Sequence, residues 1–109
     1  MKSKPNYGNE TLNKAYEKFF AGKKMSYEEF VIMLSTNDEL YFFYNKREYL
    51  FEHTSPGAIS MCVTSYENSV PFLERVEQFD SIIDALLNFR IDGKTIYEIW
   101  ANVWFPKPQ

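Results

Sequence analysis

Leu40-Tyr41-Phe42-Phe43-Tyr44-Asn45-Lys46-Arg47-Glu48-Tyr49-Leu50-Phe51, residues 40–51, reads as two strands joined by a tight turn. Aromatic and aliphatic side chains fill both flanks, which suits a pleated surface. Asn45-Lys46 fits a two-residue turn because Asn tolerates a positive φ. That turn sets Phe42 opposite Tyr49 and Leu40 opposite Phe51. Strands joined this closely run antiparallel.

The β region extends over residues 39–64, with a second turn at Ser55-Pro56-Gly57. A three-residue loop with Gly57 in the left-handed region aligns Phe51 with Met61, Tyr49 with Val63 and His53 with Ile59. A two-residue loop instead sets Phe51 opposite Cys62 and Tyr49 opposite Thr64. The first register keeps one face apolar and is preferred, since register follows burial. Residues 65–70 read as a polar loop. Residues 72–79 are ambiguous: Phe72, Leu73, Val76 and Phe79 fit a helical period, and Pro71 suits either a first helical turn or a strand start. A fourth strand would extend the meander, and strand is the reading adopted.

Helices flank this region on both sides. Leu12, Ala15, Tyr16, Phe19 and Phe20 share one helical face, and Gly22 stops the run. Ser26 and Glu29 form a capping box for a second helix, with Met25 and Phe30 as a hydrophobic staple and Phe30, Val31 and Leu34 inward. Downstream, Asp80 is a cap for a helix with Ile82, Ile83, Leu86 and Leu87 inward. Thr95 and Glu98 cap a last helix with Ile96, Ile99, Trp100 and Val103 inward. The expected fold is α+β: a small antiparallel meander of three or four strands, flanked by two N-terminal and two C-terminal helices. Residues 1–8 are expected to be a flexible tail and residues 9–109 one α+β domain.

From Met25 to about Trp100 the chain resembles a recurrent type of small uncharacterised α+β protein of Gram-positive bacteria and their phages. The stretches that carry the likeness are Met25-Ser26-Tyr27-Glu28-Glu29-Phe30 and Phe42-Phe43-Tyr44-Asn45-Lys46-Arg47-Glu48-Tyr49. Phe79-Asp80-Ser81-Ile82-Ile83-Asp84-Ala85-Leu86-Leu87 and Ile91-Asp92-Gly93-Lys94-Thr95-Ile96-Tyr97-Glu98-Ile99-Trp100 complete it. The resemblance implies a fold and no activity, so no catalytic residue is carried over from it. Gly is usual after Asn45 in that type, where this chain has Lys46.

Composition narrows the function classes. The 109 residues are 45% hydrophobic and 25% charged, an ordinary globular mix, with aromatics high at 18%. No apolar run approaches the roughly 20 residues that cross a bilayer, and the first residues lack a signal-peptide core. One Cys and one His exclude an internal disulfide and the common zinc sites. A cytoplasmic location is expected, with no cofactor and no membrane partner.

Charge is uneven. Residues 1–24 carry six Lys and two Glu, a balance of +4, and residues 25–109 carry −7. An acidic body repels a phosphate backbone, so nucleic acid is disfavoured. It suits a basic protein partner.

Four constellations bear on chemistry. A Cys62 nucleophile would need His53 as its base, yet the preferred register puts them on opposite faces. Glu48 and Glu52 lie two pleats apart on one strand, about 13 Å by strand rise and too far for a glycosidase pair. Gly93-Lys94-Thr95 lacks the first Gly of a phosphate-binding loop, since Asn88 holds that place. The fourth is the aromatic face of Tyr41 and Phe43 with Leu50 alongside, flanked by Glu48 and Glu52. Leu40, Phe42, Tyr49 and Phe51 already supply the core, so the sheet reads as apolar on both faces. Either a helix covers the second face or that face binds something. Tyr41, Phe43, Glu48, Leu50 and Glu52 are therefore the candidate partner-binding residues. The expected function is a non-enzymatic protein-binding module, such as an inhibitor, an immunity protein or a phage-encoded modulator of a host protein. The alternative is a nucleic-acid-associated protein that uses the Lys-rich N-terminal segment.

Overall fold

The computed structural model describes residues 8–105. Apart from Gly8, the expected tail lies outside the described residues. The elements are α1 (Glu10–Phe20), α2 (Tyr27–Leu34), β1 (Glu39–Tyr44), β2 (Arg47–Ser55), β3 (Ala58–Glu67), β4 (Val70–Phe79), α3 (Ile82–Asn88) and α4 (Ile96–Ile99), followed by a 3₁₀ turn over Trp100–Asn102. The fold is α+β. The four strands form one antiparallel meander in the order β1-β2-β3-β4.

Turn chemistry sets the sheet. Asn45 and Lys46 have φ of 49° and 64°, the doubly left-handed turn that matches strand twist. Phe42 pairs with Tyr49 and Leu40 with Phe51, as expected. At the second turn Gly57 has φ of 83°, a conformation that suits a residue without a Cβ. His53 pairs with Ile59, Phe51 with Met61 and Tyr49 with Val63, and an irregularity between His53 and Ser55 absorbs the odd residue.

One reading needs correction and one ambiguity is resolved. Residues 65–70 are not a loop. β3 runs on to Glu67, β4 starts at Val70, and Asn68-Ser69 is a second left-handed turn with φ of 51° and 66°. Residues 72–79 are strand, with an irregularity between Val63 and Thr64 that leaves Glu74 outside the register.

The core lies between one face of the sheet and the helices. Leu40, Phe42, Tyr49, Phe51, Ile59, Met61 and Val63 are all buried on that face. Phe30 of α2 meets Phe42 and Phe51 with ring centroids 5.7 and 5.6 Å apart. Phe89, just after α3, meets Tyr49 and Phe79 at 6.1 and 6.2 Å. Trp100 is 9% exposed, packs 4.7 Å from Phe30, and its indole Nε1 donates to the Met25 carbonyl at 3.1 Å.

Helix ends follow their caps. Ser26 and Glu29 form the expected capping box, as do Thr95 and Glu98. Ser81, rather than Asp80, caps α3 by accepting from the Asp84 amide at 3.0 Å. The helix rotates accordingly: Ala85 and Leu86 are buried, while Ile83 and Leu87 are exposed. The last helix is only one turn before it tightens at Trp100, yet Ile96, Ile99, Trp100 and Val103 are all buried as expected.

The N-terminal helix docks on α2. Leu12 and Ala15 are buried, and Asn37 Nδ2 donates to the Tyr16 hydroxyl at 3.0 Å. Lys18 Nζ donates to Glu29 Oε1 at 2.7 Å. Burial pushes the Glu29 carboxyl up, but hydrogen bonds from Lys18 and Ser26 outweigh it and hold its pKa below the ordinary value.

Candidate functional site

The second face of the sheet follows from the same alternation that builds the core. Pairing places its residues in three rows across the four strands. Glu39, Glu52, Ser60 and Gln78 form one row. Tyr41, Leu50, Cys62 and Val76 form the next. Phe43, Glu48, Thr64 and Leu73 form the third.

The ring contacts between the helices and the sheet fall on the opposite face, and of the three rows only Ser60 is buried. Tyr41 is 41% exposed, Val76 45% and Leu73 60%. Phe43, Leu50 and Cys62 are half-buried. Apolar side chains thus form a continuous strip across the sheet, of the kind found at interaction sites.

One further aromatic joins the strip from outside the meander. Trp104 pairs with Phe43 along the β1 edge. The Phe43 amide donates to the Trp104 carbonyl at 2.9 Å, and the Trp104 amide donates back at 3.0 Å. The two rings stack at 4.6 Å, and Trp104 stays 54% exposed. Tyr66 also borders the strip, its hydroxyl donating to Glu48 Oε2 at 2.9 Å. That bond to Glu48 raises the Tyr66 hydroxyl pKa, with burial adding to it.

The charged side chains in the three rows are Glu39, Glu48 and Glu52, all carboxylates. Glu39 stands directly opposite Glu52. Like charges facing each other across a strand pair are destabilising.

No family model, curated protein or solved structure matches this chain.

The five residues expected from the sequence therefore share one face: Tyr41 pairs with Leu50 and Phe43 with Glu48, with Glu52 at the end of the strip. Sequence reasoning missed Glu39, Cys62, Leu73, Val76, Tyr66 and Trp104. Cys62 and Glu39 follow from the two registers already preferred, whereas Leu73 and Val76 needed the Asn68-Ser69 turn to be recognised. The Trp104 bridge spans too many residues for any local pattern to reveal it.

The structure also places the other constellations. Cys62 and His53 lie on opposite faces, since Cys62 pairs with Leu50 and His53 with Ile59. His53 is engaged elsewhere, its Nε2 lying 2.8 Å from the Leu34 carbonyl. Asp92-Gly93 is a turn closed by an Ile91–Lys94 bridge, and Thr95 is a helix cap. Among the described residues, no group of three His, Cys, Asp or Glu could hold a metal ion. No helix among them is long and apolar enough to cross a membrane.

A second feature lies at the other side of the molecule. An open groove of about 700 Å³ runs between α2 and α3, lined by Tyr27, Val31, Ile32, His53, Ile82 and Ile83 among others. Its exposed walls are almost wholly apolar, and Tyr27, Glu28 and His53 are the titratable residues among those that line it.

Proposed function

We propose that the protein is a non-enzymatic binding module that presents the open face of its sheet to a basic protein partner. The observation that carries this reading is the pairing of Glu39 with Glu52 beside the apolar strip of Tyr41, Leu50, Cys62 and Val76. The isolated fold bears a local repulsion there, and a cationic partner would relieve it. Exposed Tyr and Trp rings on the same face are the anchors that interfaces favour. An inhibitor, an immunity protein or a modulator of a host protein would each use such a face.

The nucleic-acid reading draws less support. Three of the four described lysines in the leading segment are engaged: Lys14 pairs with Glu10, Lys18 with Glu29, and Lys24 donates to the Trp100 carbonyl. Burial lowers the Lys24 pKa. These side chains are committed within the chain, and the aromatic face is ringed by carboxylates that repel phosphate.

A bait comparison tests the proposal. Wild-type protein and a Tyr41→Glu/Leu50→Glu variant of matched melting temperature are immobilised and exposed to lysate of a Gram-positive bacterium. The expected result is a protein retained by the wild type, lost from the variant and released by salt. Equal retention by both baits would exclude the open face. So would micromolar binding of DNA or RNA at about 0.15 M salt that vanishes when residues 1–24 are deleted.

A further inference from the structure

The two edges of the sheet differ. At β1 the outward backbone groups of Phe43 are taken by Trp104. At β4 no backbone hydrogen bond from another element reaches the outer side among the described residues. β4 is ten residues long and exposed over most of its length, so it offers a row of unpaired amides and carbonyls. Proteins usually blunt such an edge with charge, proline or a bulge. Pro71 and the irregularity at Glu74 do so at the start of β4. The stretch Arg75-Val76-Glu77-Gln78 is regular and keeps its pairing with β3.

The charges on that stretch alternate in sign. Arg75 and Glu77 sit two residues apart on the core-side face, and Arg75 Nη1 donates to Glu77 Oε2 at 2.6 Å. We propose that the β4 edge joins a second copy of this chain, with the two β4 strands antiparallel about a two-fold axis at Val76. This goes beyond the partner-binding reading and does not depend on it.

Charge complementarity selects the partner and the register. A two-fold axis perpendicular to the sheet keeps each face on its own side, so it must lie midway between the two copies of one residue. Centred on Arg75, it opposes two arginines. Centred on Glu77, it opposes two glutamates. Centred on Val76, it sets Arg75 of each copy opposite Glu77 of the other, twice, with the two Val76 side chains meeting on the open face. The same side chains that pair within one strand then pair across the interface. The Tyr41, Leu50, Cys62 and Val76 row would continue unbroken into its symmetry mate. A short strand pairing buries less than the roughly 1,200 Å² of a standard interface, so the dimer is of the weak, concentration-dependent class.

Sedimentation velocity across about 10 µM to 1 mM tests this. The wild type is expected to move from monomer to dimer. Glu77→Arg opposes arginine to arginine and is expected to weaken self-association at least tenfold, and Arg75→Glu opposes glutamate to glutamate with the same result. Mixing the two variants restores both ion pairs, so an equimolar mixture is expected to form a heterodimer. Arg75 also stacks on Phe89 and donates to the Arg90 carbonyl, so Arg75→Glu could fail to fold. Hydrogen exchange on the wild type then decides alongside Glu77→Arg: amides of residues 75–78 should gain protection as concentration rises. A wild type that stays monomeric at 1 mM overturns the proposal, as does a dimer that Glu77→Arg leaves intact. Folded variants that fail to associate on mixing, or unchanged exchange across β4, overturn it equally.

Discussion

Replacing Trp100 with Ala tests how the two ends of the chain are tied together. The indole is 9% exposed and lies within 4.7–6.3 Å, centroid to centroid, of Phe30, Tyr27, Phe105 and Phe42. Truncating a buried Trp to Ala costs about 3–5 kcal/mol, the range set by how far the cavity can collapse. Four aromatic neighbours held by strands and a capped helix collapse poorly, which favours the upper half. The substitution also strands the Met25 carbonyl, on a residue only 1% exposed. Trp100→Phe separates the two effects. It keeps most of the ring packing and removes the donor, so about 1–3 kcal/mol is expected. Urea unfolding followed by far-ultraviolet circular dichroism reads both values, provided the slope m is unchanged. For a domain of this size the Ala variant should melt roughly 15–25 °C lower. A loss below about 1 kcal/mol for Trp100→Ala would refute the reasoning and place the ring in solvent.

Iodide should quench only part of the tryptophan fluorescence, since Trp104 is exposed and Trp100 is not; Trp104→Phe should abolish the quenched fraction. The folded pKa of Glu29 is depressed, so its carboxylate stabilises the fold above the ordinary Glu range of about 4.3, and that stabilisation fades as pH falls through the lower folded value. Glu29→Gln should therefore lower the urea midpoint at neutral pH and converge with the wild type in strong acid; a difference constant across pH would contradict this. Lys46 sits at φ 64°, so Lys46→Gly should stabilise by about 0.5–1 kcal/mol, as a urea titration would detect. Glu52→Gln removes a facing like charge and should raise the urea midpoint slightly, whereas a lowered midpoint would remove the premise of the binding proposal.

The first two hairpins are legible in the sequence because two signals agree there. Asn45-Lys46 points to one register, and at Pro56-Gly57, where the turn allows two, the apolar alternation selects the one observed. The third hairpin is hidden because Asn68-Ser69 lacks glycine and sits in a polar run that resembles a loop. Ile83 and Leu87 mislead for a different reason. Their spacing from Ile82 and Leu86 is equally compatible with a rotated helix, and packing that buries Ala85 and Leu86 decides the rotation. The candidate face is legible by halves. β1 and β2 reveal Tyr41, Phe43, Glu48, Leu50 and Glu52, since the core was already supplied by their neighbours. Glu39 and Cys62 were implied by the same two registers, while Leu73 and Val76 depend on β4 and Trp104 on a bridge, and non-local pairing leaves no periodic trace.

The hydrogen bond from Trp100 to the Met25 carbonyl spans 75 residues and has a kinetic meaning. The meander is built from adjacent hairpins, and α1 docks on its neighbour α2, so most of the scaffold can assemble through short loops. The lid over Phe30 and Phe42 cannot. Trp100 and Phe105 pack on Phe30 across a long stretch of intervening chain, after the whole meander and α3 have been made. During synthesis the aromatic centre therefore waits uncovered for its last two rings. That interval is when the nascent chain is most exposed to aggregation. Substitutions at Trp100 or Phe105 are expected to reduce the soluble yield by more than their equilibrium cost alone implies.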